Sequence, residues 1–249
     1  MAKFPSMIVL FTDFGLSGPY TGQVKAVLAQ QAPGVAVIDL FADAPAFDPQ
    51  LSAYLLAAYA PAFPAGSVFV GVVDPGVGTD RRPLVVEADG RCFVGPDNGL
   101  FEIVRRRAAD TRTWRIDWRP ERLSASFHGR DLFAPVAARL ATGQPVARTA
   151  LPDGGVALPD WPDDLARIVY VDVYGNAMTG LRAAAIPEQA TLRIGDGRRV
   201  RRGRVFAEVG AGEALWYENA NGLAEIAVNR GRADRDLGLR VGDGIAVEG

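Results

Sequence analysis

The sequence predicts an α/β protein, with an N-terminal Rossmann-like α/β sandwich followed by a smaller C-terminal antiparallel β-barrel. Three observations predict it. Residues 1–150 alternate unbroken apolar runs with helical periodicity, the pattern of strands covered on both faces of a parallel sheet. Residues 151–165 are rich in Pro, Gly and Asp and read as a linker. Residues 166–249 then change to short strands punctuated by Gly turns.

The elements follow in order. Residues 7–11, Met-Ile-Val-Leu-Phe, form a buried strand that ends at Thr12-Asp13-Phe14-Gly15. Val24, Val27 and Leu28 recur at helical spacing, and Pro33-Gly34 stops that helix. Residues 35–40 are a second strand, Pro49 to Tyr59 an Ala/Leu-rich helix, and residues 68–73 a third strand ending at Asp74. Residues 84–87 and 91–94 flank the turn Ala88-Asp89-Gly90 and predict a hairpin. Pro96-Asp97-Asn98-Gly99 opens a helix carrying Leu100, Ile103 and Val104. Leu132, Phe133, Val136 and Leu140 share one face of a helix over 130–140, with His128 on the loop before it. Beyond the linker, strands are expected at 167–173, 190–194, 215–218, 223–228 and 244–247.

Composition narrows the chemistry. A net charge of −2 gives no electrostatic case for nucleic acid or an anionic membrane. The cluster Arg198-Arg199-Val200-Arg201-Arg202-Gly203-Arg204 lacks interleaved aromatic residues and reads as an exposed hairpin. One cysteine, Cys92, excludes an intrachain disulfide, and with one histidine a transition-metal site is not expected. No run reaches the roughly 18 to 20 apolar residues of a membrane helix. Residues 1–5 show no signal-peptide pattern, so a cytoplasmic protein is expected.

The single histidine, His128 in Phe127-His128-Gly129-Arg130-Asp131, is the side chain whose ordinary pKa suits proton chemistry near neutrality. A lone histidine is more often structural. Asp13 and Asp74 both close apolar strands, where α/β sheets bind ligands. Asp13 suits chelation of two ribose hydroxyls, or a local cap. Asp13-Phe14-Gly15 is not a kinase turn, since no Gly-rich loop or strand lysine precedes it. Asp74-Pro75-Gly76-Val77-Gly78-Thr79 is a turn whose glycines permit close ligand approach, or simply a tight turn. Asn176, after Tyr174-Gly175, can both donate and accept toward a nucleobase or ribose, or cap its turn. Asn229-Arg230-Gly231 is equally open.

Six motifs occur together in order: Thr12-Asp13-Phe14-Gly15, Asp74 to Thr79 with Arg81, Pro96-Asp97-Asn98-Gly99, Phe127 to Asp131, Tyr174-Gly175-Asn176, and Glu225-Ile226-Ala227-Val228-Asn229. On these the chain resembles the S-adenosyl-L-methionine (SAM) hydrolase, or SAM hydroxide adenosyltransferase, family, relatives of fluorinase and chlorinase, over nearly its whole length. The resemblance implies attack of water at C5′ of SAM, giving adenosine and methionine, with SAM as substrate and no cofactor or metal. It implies Asp74, Arg81 and His128 as the catalytic set. Asp13 would bind the ribose, and Asn176, with Asn229 nearby, the ribose or adenine. Phe127, Tyr174 and Phe206 are candidates for the apolar walls. It also implies a homotrimer with sites between subunits. Three positions depart from the family pattern near the methionine end. Gly18 replaces an Asp, Ala220 replaces a Ser, and Phe41-Ala42-Asp43 replaces Thr-His-Glu. The missing polar groups leave a non-catalytic adenosine or SAM binding module as the alternative, and a halide-using adenosyltransferase as a weaker one.

Overall fold

A computed structural model describes residues 7–195 and 197–249; the expected absence of a leader at residues 1–5 lies outside them. The chain divides into two compact units, Met1–Leu158 and Pro159–Gly249.

In the first unit the strands are β1 (Met7–Thr12), β2 (Ala36–Phe41), β3 (Val68–Val72), β4 (Pro83–Ala88), β5 (Arg91–Pro96), β6 (Thr111–Ile116) and β7 (Arg148–Ala150). They form one sheet in the order β2-β1-β3-β5-β4-β6-β7. The parallel half, β2-β1-β3-β5, agrees with expectation. The other half is antiparallel, because the β4–β5 hairpin reverses the chain and β6 and β7 continue from it. That hairpin turns through Asp89 at φ 46° and Gly90 at φ 76°, the left-handed pair that matches strand twist in a two-residue turn.

The helices are α1 (Tyr20–Gln31), α2 (Pro49–Tyr59), α3 (Glu102–Arg107) and α4 (Ala134–Ala141). Alternation along β1 feeds both faces. Ile8 and Leu10 join Val24 and Leu28 of α1 and Val136 and Ala137 of α4 in one core. Phe11 points the other way, against Phe41, which in turn meets Tyr59 of α2. The Asp48 side chain accepts from Leu51 N–H at 2.9 Å and Pro49 occupies the first turn, which explains why α2 starts where the sequence says.

The helix expected at 130–140 begins instead as a π turn, Gly129–Phe133, before α4. Pro135 has no N–H to give the carbonyl four residues back, and its ring crowds that carbonyl. The Ala134 N–H reaches Gly129 O instead, widening the turn. His128 therefore sits at the head of a π turn rather than on a loop.

The second unit holds β8 (Leu165–Val171), β9 (Ala177–Arg182), β10 (Thr191–Arg193), β11 (Arg199–Val200), β12 (Ala214–Glu218), β13 (Leu223–Val228), the short α5 (Ala233–Asp236) and β14 (Ala246–Glu248). They make two antiparallel sheets, β12-β13-β9-β8 and β11-β10-β14, rather than one continuously laddered barrel. Single bridges, Arg167 to Gly244 and Arg202 to Trp216, join their edges. Trp216 is fully buried at the centre and donates its indole N–H to Ala190 O at 3.2 Å. The Arg cluster is tied down by acids: Arg199 and Arg193 both bind Glu248 at 2.7 Å.

Candidate active site

β1 and β3 are parallel neighbours with Thr12 opposite Val72, so Asp13 and Asp74 emerge together at the carboxyl edge of the sheet. There they line a cleft of about 600 Å³ with Phe14, Tyr20, Phe47, Val77, Phe127 and His128.

Asp74 and Arg81 form a bidentate ion pair. Arg81 Nε donates to Asp74 Oδ1 at 2.6 Å and Arg81 Nη2 to Oδ2. Their side chains are only 4% and 8% exposed. The Asp74 turn is closed by the Thr79 hydroxyl, which donates to Gly76 O at 2.7 Å. Gly78 has φ 81°, and a Cβ there would lie 2.5 Å from Ala125 O. Glycine is needed here on both counts. The Phe133 ring lies 5.6 Å from the Arg81 guanidinium carbon, so the π turn that places His128 also backs Arg81.

Arg81 Nη2 lies 3.1 Å from His128 Nδ1. A guanidinium can only donate, so Nδ1 is the acceptor and the imidazole proton sits on Nε2. Burial, and next the Arg81 charge, push the His128 pKa below its ordinary value. The imidazole is therefore neutral at neutral pH, with one fixed tautomer. His128 also lines a second cleft of about 560 Å³ with Arg82, Arg115, Asp117 and Arg119, on the side where Arg81 is accessible.

Asp13 Oδ2 accepts the Phe47 N–H at 3.0 Å. Burial raises the Asp13 pKa, opposed by that N–H and reinforced weakly by Asp74. Phe47 holds φ 59°, an uncommon conformation for a bulky residue, and is 77% exposed at the cleft. Sequence reasoning missed Phe47, Phe14, Tyr20, Gln23 and Arg130, all of which line the cleft. The signal for Phe14 and Arg130 was their place beside Asp13 and His128. Nothing in the sequence marks the Phe47 backbone. The rings of Phe14, Tyr20 and Phe127 meet one another edge-on or tilted, at 5.5 to 6.2 Å.

The structure therefore brings Asp13, Asp74, Arg81, Phe127 and His128 together. Tyr174, Asn176, Phe206 and Asn229 belong to the second unit. Tyr174 is 73% exposed on a turn where Asp172 accepts from Tyr174 N–H, Asn176 N–H and Asn176 Nδ2. One amide N–H of Asn176 is thus engaged, leaving its second N–H and its oxygen. Phe206 packs on Tyr217 at 5.3 Å. Asn229 Nδ2 donates to Val209 O at 2.8 Å, a bond that holds a loop. Gly18 has φ 105°, so an Asp restored there would be strained. Ala220 lines a separate polar cleft of about 630 Å³ with Arg202, Arg204 and Glu218. Among the described residues no cluster of His, Cys, Asp and Glu could hold a metal ion. Burial also raises the Cys92 thiol to about 11, as expected of an inert thiol.

Comparisons with known proteins identify the family. Residues 8–150 match the SAM hydroxide adenosyltransferase N-terminal domain, and residues 166–246 match its C-terminal domain. An (R)-S-adenosyl-L-methionine hydrolase of Thermus thermophilus is 41% identical, covering 94% of this chain and 96% of that protein. A fluorinase of Nocardia brasiliensis is 21% identical, covering 97% and 96%. A solved structure of an uncharacterized conserved protein from Thermotoga maritima superposes with a TM-score of 0.87 at 30% identity, covering 97% of this chain and all of that one. The chain belongs to the SAM hydroxide adenosyltransferase family.

Proposed function

We propose that the protein hydrolyses SAM to adenosine and methionine, by in-line attack of water at C5′. The observation that carries this is the Asp74–Arg81–His128 line ending in a fixed Nε2–H, in the same cleft as the Asp13 carboxylate. Asp13 accepts hydrogen bonds from the ribose hydroxyls, which orients C5′ toward His128. The His128 Nε2–H donates to one lone pair of the water and leaves the other aimed at C5′. With Nδ1 occupied by Arg81, His128 positions the water rather than deprotonating it. The oxygen–C5′ bond forms as the C5′–sulfur bond breaks, and the electron pair goes to sulfur, so methionine leaves as a neutral thioether. The attacking oxygen then loses its proton to solvent water, for which the second cleft beside His128 offers a route.

Charge favours this arrangement. The substrate carries a positive sulfonium, which a bare guanidinium would repel. Asp74 neutralises Arg81, and burial keeps His128 uncharged. The hydrolase reading is favoured over a halide-using one by the higher identity to the hydrolase.

The second unit closes as a barrel through its two edge bridges. The active assembly is a homotrimer in which the Tyr174–Asn176 turn of a neighbouring copy covers the cleft. The exposed Leu16, Tyr20 and Phe47 on one unit and Val173 and Tyr174 on the other support it. One cysteine and no internal disulfide suit the cytoplasm. No helix among the described residues is long and apolar enough to cross a membrane. Incubation with SAM and chromatography of the products tests the proposal. Equal amounts of adenosine and methionine are expected; tight adenosine binding with SAM left intact would point to a binding module instead.

A further inference from the structure

We propose that Asp131 is a positioning residue for His128, acting through the backbone that carries the imidazole. The inference rests on the reading of His128 as the group that holds the attacking water. Asp131 stands outside both clefts that His128 lines, so it is placed to act on the backbone rather than on the substrate. Its side chain is only 16% exposed. Asp131 Oδ2 accepts the Ser124 N–H at 2.9 Å, seven residues upstream. The Asp131 N–H donates to Phe127 O at 3.2 Å. The bond to Ser124 closes residues 124–131 into a ring of backbone with His128 inside it, and Ser124, Ser126, Phe127 and His128 of that ring line the front cleft.

The ring is also held from outside. Gly78 approaches Ala125 O so closely that a Cβ would lie 2.5 Å from it, which sets the segment against the turn that carries Asp74. Arg130 Nε and Nη2 donate to Asp131 at 2.6 and 3.0 Å. Those bonds hold the Asp131 carboxyl below its ordinary pKa, so the acceptor facing Ser124 is charged. The imidazole itself is tied by Arg81 at Nδ1. Where Nε2 points is otherwise set by the His128 backbone, at φ −62° and ψ −26° at the head of the π turn. A shift of that backbone moves Nε2 relative to C5′ and stretches the 3.1 Å contact with Arg81. A misplacement of about 1 Å, made far from the chemistry, can cost about 10²-fold in rate. Asp131 thus has two separable roles. As partner of Arg130 it needs its charge; as clamp on Ser124 it needs an oxygen at this reach from the backbone.

Asp131→Asn and Asp131→Glu separate the two roles. Asn keeps an oxygen at the same reach for the Ser124 N–H but loses the charge that pairs with Arg130. Glu keeps that charge, but its longer stem moves the carboxylate off the Ser124 N–H. Positioning predicts a kcat on SAM within about threefold of wild type in Asp131→Asn and a fall of about 10- to 100-fold in Asp131→Glu, with a smaller change in KM. The opposite order would assign Asp131 to the Arg130 ion pair alone and overturn the proposal, as would equal losses or none. His128 is the one histidine of the chain, so imidazole ¹⁵N NMR reads its tautomer without turnover. The Nε2–H form is expected intact in Asp131→Asn and mixed with the other tautomer in Asp131→Glu; an unchanged tautomer in Asp131→Glu also overturns the proposal. Should Asp131→Glu misfold, Asp131→Ala, which removes the acceptor, takes its place with the same expectations. Failure of the water-holding reading has a different signature: His128→Ala would then keep wild-type turnover, while the tautomer comparison still decides the positioning.

Discussion

Removing Arg81 should damage stability and turnover by separable routes. In Arg81→Ala the Asp74 carboxylate, 4% exposed in the intact pair, loses its partner. Breaking a buried pair by deleting one partner costs about 3–5 kcal/mol. The lost contact with Phe133 adds no more than about 1 kcal/mol, so the stranded charge dominates. In a unit of this size each kcal/mol moves the thermal midpoint by about 2–4 °C, giving a fall of about 6–20 °C. Replacing both partners by apolar residues of similar volume, Asp74→Leu with Arg81→Met, removes the stranded charge and should recover most of that loss. Turnover should be lost in both variants, since neither retains the N–H that fixes the His128 tautomer. Thermal unfolding by circular dichroism, with SAM turnover measured in parallel, reads both quantities. A midpoint in Arg81→Ala within about 2 °C of the parent would refute the burial argument. So would a double variant as unstable as the single one.

Three further outcomes follow. His128→Ala should lose about 10²–10⁴-fold in turnover while calorimetry still detects adenosine, because Asp13 and the aromatic walls remain; wild-type turnover would remove His128 from the mechanism. The pH–rate profile should be flat through neutrality, with its acid limb below the ordinary imidazole value of 6.5, because burial and Arg81 lower the His128 pKa while burial raises that of Asp13. On falling pH, His128 gains a proton and the Asp13 carboxylate is neutralised, and each change removes a required form; a limb above 6.5 contradicts both the charge state and the tautomer. Gly78→Ala meets both a positive φ and Ala125 O, and should lower the thermal midpoint together with turnover, at a cost of about 1–3 kcal/mol; an unaltered midpoint would mean the Asp74 turn tolerates a side chain.

Much of the fold was legible because local pattern and tertiary role coincide. The unbroken apolar runs of β1 and β3 are buried on both faces, and α2 carries its own start signals. β6 was missed because Thr111-Arg112-Thr113-Trp114-Arg115-Ile116 buries only Thr113 and Ile116, too little to stand out from a loop. β9 was missed because Gly180 interrupts its pattern; a Cβ there would lie 2.7 Å from Leu165 Cβ. The antiparallel half of the large sheet depends on which edge the β4–β5 hairpin joins, which is a tertiary choice. At the site, the charged residues were readable from their positions at strand ends. The tautomer of His128, the turned-back Phe47 and the convergence of Gln23 with Arg130, 107 residues apart, are properties of three-dimensional packing.

The most direct test of SAM hydrolysis by water attack is turnover in isotopically labelled water, followed by mass analysis of the adenosine. The account predicts one labelled oxygen, at the 5′-hydroxyl, with unlabelled methionine. Adenosine without label would contradict it, as would intact SAM or a 5′-halogenated nucleoside in the presence of chloride or fluoride.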